Sequence, residues 1–136
     1  MSVESGVFTL LSTNADLAAL MGVALPELGG YVYRTGRAID PPDVFVAIRW
    51  EENPAPVAFL TTQGLTIRAH SREGSYELID GMLDRCKTIL TSTVHFQGIT
   101  QVDWRGRSPD LFDDGYRTAT RYDTYVVAGG ITAGRK

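Results

Sequence analysis

The stretch Leu65–Ser92, "LTIRAHSREGSYELIDGMLDRCKTILTS", holds one of the two histidines, a serine beside it, several carboxylates and the only cysteine. Such residues would suit a Ser–His pair, in which the imidazole takes the hydroxyl proton, or a thiol nucleophile. The spacing argues against both. His70 and Ser71 are neighbours in a segment of period two, so their side chains leave on opposite faces, and a lone histidine needs a positioned partner to act as a base. His70 falls opposite Leu65, Ile67 and Ala69 and is expected to point to solvent or to a partner. Cys86 follows Met82 by four residues and Leu83 by three, inside an apolar stripe, and reads as a small core residue. Glu73, Glu77, Asp80 and Asp84 recur every three or four residues, forming an acidic stripe on the other side of the same helix.

Metal chemistry finds no better support. His70, His95 and Cys86 are isolated from one another, and neither CxxC nor HExxH occurs. The segment "DLFDDG" partly matches a calcium loop, but Phe112 takes the place of the second acidic ligand and Arg121 that of the bidentate Glu. No GxxxxGK[ST], GxGxxG or GxSxG element is present. No catalytic residue, metal or cofactor is therefore expected.

The elements around these residues follow from periodicity. "VESGVFTLLSTNADLAALMG" has Val3, Val7, Leu10 and Leu11, then Leu17, Leu20 and Met21, at helical spacing. The polar Ser12-Thr13-Asn14 divides it, with Asn14 placed to cap a second helix and Gly22 to end it. "YVY" at 31–33 is a short strand candidate before a Gly- and Pro-rich loop. In "VFVAIRWEE" the period becomes two: Val44, Val46, Ile48 and Trp50 share one face, Phe45, Ala47, Arg49 and Glu51 the other. "VAFLTTQGLTIRAHS" continues extended, with Gly64 placed to mark a bulge or break. "SYELIDGMLDRCKTIL" is an amphipathic helix capped by Ser75, with Leu78, Ile79, Met82, Leu83, Cys86, Ile89 and Leu90 in its stripe. "VHFQGITQVDW" and "YRTATRYDTYVVA" read as two further strands joined by the loop "RGRSPDLFDDG". Together these predict one α+β domain over residues 1–136: a mainly antiparallel sheet with helices packed on one face.

Composition is that of an ordinary globular chain: 136 residues, 43% hydrophobic, 21% charged, with a formal net charge of −3. That balance gives no global attraction to nucleic acid or to acidic membranes. The start "MSVESGVFTLL" lacks the pattern of a signal peptide, no apolar run approaches the roughly 18 residues of a membrane span, and one cysteine makes no internal disulfide. A reducing interior such as the cytoplasm is the expected compartment.

Across nearly its whole length the pattern resembles the tail terminator, or tail completion, proteins of long-tailed bacteriophages. The shared features are "LLSTNADLAALMG", then "YVYRTGRAIDPPDVFVAIRW", then the strand that runs through "SREGSYE" into one amphipathic helix, and a β-rich end. The resemblance implies a non-enzymatic virion protein. It would form a homo-oligomeric ring, a hexamer in that family, on the head-proximal end of the tail tube, stop polymerisation and offer the head-joining surface. The implied partners are other copies of the chain, the tail tube protein and a head-completion or neck protein. Genomic DNA would pass through the lumen without sequence-specific binding, and no membrane is involved. Assembly in the host cytoplasm and residence in the neck of the virion follow. A different neck or head-completion protein is the alternative, and a small α+β enzyme a more distant one.

For a ring, Asp80 and Asp84 on the acidic stripe are expected to face Arg117 and Arg121 of a neighbour, the two arginines sharing one face of the last strand by period two. The "RGRSPDLFDDG" loop, with Arg105 and Arg107 at one end, Asp110, Asp113 and Asp114 at the other, and the Leu111-Phe112 pair between, is expected to be a mobile docking element.

Overall fold

The computed structural model describes residues 3–34, 42–52, 60–92 and 99–130; His95 and its expected isolation lie outside them. The helical start forms in two pieces, α1 (Val3–Ser12) and α2 (Ala15–Met21). Asn14 Oδ1 accepts the Leu17 N–H at 2.9 Å, satisfying one of the free donors at the start of α2. At the other end Gly22 takes φ 74°, and the N–H groups of Val23 and Gly22 reach back to the carbonyls of Ala18 and Ala19 at 3.0 and 3.2 Å. This two-bond closure needs a left-handed residue, which glycine adopts without steric cost. A 3-10 helix, Leu25–Tyr31, then leads into β1 (Val32–Tyr33), the short strand expected at "YVY".

β2 (Val44–Glu52), β3 (Leu60–Ser71), β4 (Ile99–Arg107), β5 (Leu111–Asp113) and β6 (Thr118–Gly130) complete one sheet of order β1-β2-β3-β6-β4, with β5 also on β6. Only the β1–β2 pair is parallel. The α+β class with a mainly antiparallel sheet is thus observed. Gly64 is not a bulge: the ladders on both sides of β3 run through it unbroken, opposite Glu51 and Val126. The register shifts fall in β4, between Ile99 and Gln101 and between Trp104 and Gly106.

The central helix α3 (Tyr76–Thr91) begins where Ser75 Oγ accepts the Leu78 N–H at 3.2 Å. It lies against β3, β4 and β6, with α1 and α2 beside it on the same face. Ile79, Met82, Leu83, Cys86 and Leu90 are fully buried and Ile89 nearly so, as their spacing predicts; Leu78 sits at the margin. They meet Val46, Ile48, Leu65, Ile67 and Ala69 from the apolar faces of β2 and β3, and Tyr125 and Val127 from β6. Each fully buried Leu, Ile or Met contributes roughly 1.5–3 kcal/mol of transfer free energy, so this seam holds the helices to the sheet. No described helix is long and apolar enough to cross a membrane.

The expected eleven-residue loop is largely ordered. β4 runs on through Arg105 to Arg107, and β5 pairs with β6 in the same sense, on the same side. The pair is one edge strand interrupted at Ser108–Asp110. Ser108 keeps its place beside β6, donating its N–H to the Tyr122 carbonyl at 2.8 Å and accepting the Tyr122 N–H on Oγ at 3.0 Å. Pro109 has no N–H and cannot continue the ladder. The real turn is Asp114–Arg117. There Asp113 Oδ1 accepts the Tyr116 N–H at 2.8 Å, and the Asp113 carbonyl accepts the Arg117 N–H at 2.7 Å. Arg117 sits in that turn at φ 60°, so it does not share a strand face with Arg121 as its spacing suggested.

Candidate functional site

Charged side chains gather where α3 crosses β4 and β6. On β6 the helix-facing positions include Arg121 and Asp123, two polar residues in an otherwise apolar row. Asp123 is fully buried, and its carboxylate takes two bonds from the Arg107 guanidinium, Nε to Oδ1 at 2.6 Å and Nη2 to Oδ2 at 2.9 Å. Arg107 Nη1 also reaches Asp84 Oδ1 at 2.9 Å and Asp80 Oδ1 at 3.6 Å. Arg121 donates Nη1 to Asp80 Oδ1 at 2.6 Å and Nε to the Ser108 carbonyl at 3.0 Å, and lies 3.5 Å from Asp110 Oδ1. The hydrogen bonds that the Arg107 guanidinium donates to Asp123 are the main reason it holds its proton more tightly than usual.

This geometry pairs within one chain charges that were expected to meet between subunits. Asp80 and Arg121 meet within one chain, and Asp84 is paired with Arg107, because the β4–β6 register sets Arg107 beside Asp123 under the acidic side of α3. Arg117 alone of that set is exposed with no ion pair among the described residues. The docking segment divides likewise. Arg107 is a structural cation and Asp110 an outlying anion of the cluster. Leu111 is half-buried, and its carbonyl accepts the Tyr76 hydroxyl at 2.6 Å, tying β5 to α3. Arg105, Asp114 and above all Phe112, 61% exposed, remain at the surface.

The opposite face of the sheet has no described helix on it and carries His70. His70 was expected to face solvent or a partner, but it is buried. Its ring stacks on Phe45 at 4.3 Å and 7°, Tyr116 closes edge-on at 5.4 Å, and Nδ1 shares a 2.7 Å hydrogen bond with Thr118 Oγ1. The cover comes from the turn after β5, which the sequence did not bring to this face. Burial lowers the His70 pKa to about 4, with nearby Asp113 opposing and Arg68 assisting. Ser71 Oγ, on the helix side, is buried without a hydrogen-bond partner among the described residues, so His70 and Ser71 make no pair. Beyond the aromatic group lies a concavity of about 750 Å³ lined by Arg49, Glu51, Thr66, Arg68, Tyr122 and Thr124 among others. There Arg68 lies over the Tyr122 ring at 4.8 Å. Cys86 is fully buried, and desolvation pushes its thiol up to about 12, against nucleophilic use.

Asp123 and the Phe45–His70–Tyr116 group were missed from sequence. Two signals were available: an Asp in the core-facing register of a Tyr/Val strand, and Phe45 on the face of β2 that it shares with Ala47, Arg49 and Glu51.

The architecture of the described residues is α+β, with one helix-covered and one open sheet face. No model of a known protein family matches the chain, and no curated protein matches it. Among solved structures, a chain of the "Virion of native gene transfer agent (GTA) particle" has a similar fold, with a TM-score of 0.68 over 95% of this chain and 95% of that chain at 12% identity. At that identity the likeness concerns the fold.

Proposed function

We propose that this chain is a structural protein of a phage-like virion and, more narrowly, a tail terminator that acts as one domain over residues 1–136. The observation that carries the reading is the fold shared almost end to end with a chain of a virion particle; the sequence pattern of the tail terminator family supports the narrower role. In this reading copies of the chain close into a ring, a hexamer in that family, on the head-proximal end of the tail tube. The ring halts growth of the tube, receives a head-completion or neck protein, and lets genomic DNA through without reading its sequence. Arg117, Arg105, Asp114 and Phe112 are the exposed members of the expected interface and docking sets that lie outside the ion cluster. Phe112 is the anchor, since an exposed aromatic rimmed by charges suits insertion into a partner. Asp84, half of whose work is internal, stays available at the rim of the cluster.

The test is tube assembly. Added to polymerising tail tube protein, the labelled chain is expected at tube ends only and shortens the tubes in proportion to its concentration. Label spread along tube walls, or tubes of unchanged length, overturns the terminator role. Binding to isolated heads with no effect on tubes points to a head-completion protein instead.

A further inference from the structure

We infer that neighbouring copies join edge to edge: residues 101–104 of β4 in one copy extend the sheet of the next by pairing antiparallel with residues 48–51 of its β2. This rests on the ring reading only in requiring that copies meet head to tail.

The two ends of the sheet are both open among the described residues. β4 has no described strand on its outer side, and β1 pairs only with Val46 and Ala47, leaving β2 without a described strand partner on that side from Ile48 onward. Unpaired strand edges are templates for another strand. β4 is regular only between its two register shifts, over residues 101–104, which matches the stretch 48–51. Alternation of strand directions across the sheet makes β4 antiparallel to β2, so a continued sheet joins them antiparallel. Faces must also agree: Val102 and Trp104 share the helix side with Ile48 and Trp50, while Asp103 shares the open side with Arg49 and Glu51.

One register satisfies all of this. Setting Asp103 opposite Arg49 brings Trp104 over Ile48, Val102 over Trp50 and Gln101 over Glu51. Sliding by two residues one way runs into β1; the other way sets Asp103 against Glu51 and Arg105 against Arg49, two like-charge pairs that disfavour pairing. Arg49 and Asp103 are both exposed and neither has an ion-pair partner among the described residues. Trp104, 36% exposed, would cover the hollow of about 240 Å³ that Ile48 and Trp50 line with Arg34 and Glu4. A surface with a knob at one edge and a hollow at the other is heterologous, and closes into a ring if the rotation allows.

The test uses Arg49→Cys and Asp103→Cys, both exposed and so compatible with folding, in rings assembled on tube ends or in solution. Opposed residues of an antiparallel pair lie roughly 4.5–5.5 Å apart at Cα, within disulfide reach. Mild oxidation of the mixed single variants is expected to give a covalent dimer that neither variant gives alone, and the double variant a ladder of linked chains. Self-linking of Asp103→Cys alone indicates a β4–β4 dimer and overturns the inference. So do rings of correct mass that show no link, an outcome that leaves the terminator reading standing. A chain that stays monomeric even with tube ends present overturns both.

Discussion

Replacing Asp123 with Asn removes one negative charge from a fully buried position without changing the shape of the side chain. The partner, Arg107, is only 16% exposed and is left with Asp84 at 2.9 Å and Asp80 at 3.6 Å. Breaking a buried ion pair from one side costs about 3–5 kcal/mol, mostly because the remaining charge is stranded. Here the guanidinium reaches the rim and keeps Asp84, and Asn can still accept one bond, so a loss of about 2–3 kcal/mol is expected. That is a large share of the roughly 5–15 kcal/mol of a typical domain. Urea titration reads it as a lower midpoint at unchanged slope. Arg107→Met should cost more, about 3–5 kcal/mol, since it strands a carboxylate that has no other ion pair among the described residues. The double variant strands neither charge and should cost less than the sum by at least about 1.5 kcal/mol. Single effects that add to within about 0.5 kcal/mol would refute the claim that this pair is coupled. By contrast Arg121→Met, whose partner Asp80 is 37% exposed, should cost about 1 kcal/mol or less for the ion pair.

Protonation of His70 is resisted in the folded chain, where its pKa is about 4, and not in the unfolded chain, where it is near 6.5. The unfolded state therefore binds the extra proton first, and stability falls as pH drops from about 6.5 to 4, by up to roughly 3 kcal/mol. His70→Phe should flatten that part of the profile; an unchanged slope would show that other groups cause it. Cys86→Ala should cost on the order of 1–2 kcal/mol, the mild end of core truncation, and native Cys86 should not react with thiol reagents until the chain unfolds; fast labelling of the native protein contradicts its burial. Phe112→Ser should change stability by less than about 0.5 kcal/mol, as expected for an exposed side chain, yet abolish tube-end binding. A steep drop in melting temperature would show that Phe112 serves its own fold.

Local signals carried most of the fold. Asn14, Gly22 and Ser75 act at helix ends through bonds that span five residues or fewer, so their roles are visible in a short window. The alternation in β2 and the stripe on α3 likewise report burial directly. What sequence left hidden depends on pairing between distant strands. The interruption of the edge strand at Ser108–Asp110 is defined by Tyr122, and the partner of Asp80 by the register of β6 under α3. His70 was misplaced for the same reason: its face of β3 is polar by period, and only the returning turn with Tyr116 makes it a buried one. Arg117 failed because period two was extended one residue too far, across a left-handed turn.

In the proposed ring the charge cluster would bear on assembly even though its ion pairs lie inside one chain. Arg107 stands before the break in the edge strand and Asp110 is its last residue, and the two are held through Asp123, Asp80 and Arg121 to β6 and α3. Trp104, three residues before Arg107, and Phe112, two after Asp110, are exposed on the two halves of that edge. Without anchors the break would act as a hinge, and ordering two loose contact elements on binding would cost conformational entropy. Fixing both halves to the same strand and helix would, in the proposed assembly, orient Trp104 and Phe112 before a partner arrives. A buried ion cluster adds little net stability compared with an apolar replacement, so its place here is better explained by this alignment than by strength of fold.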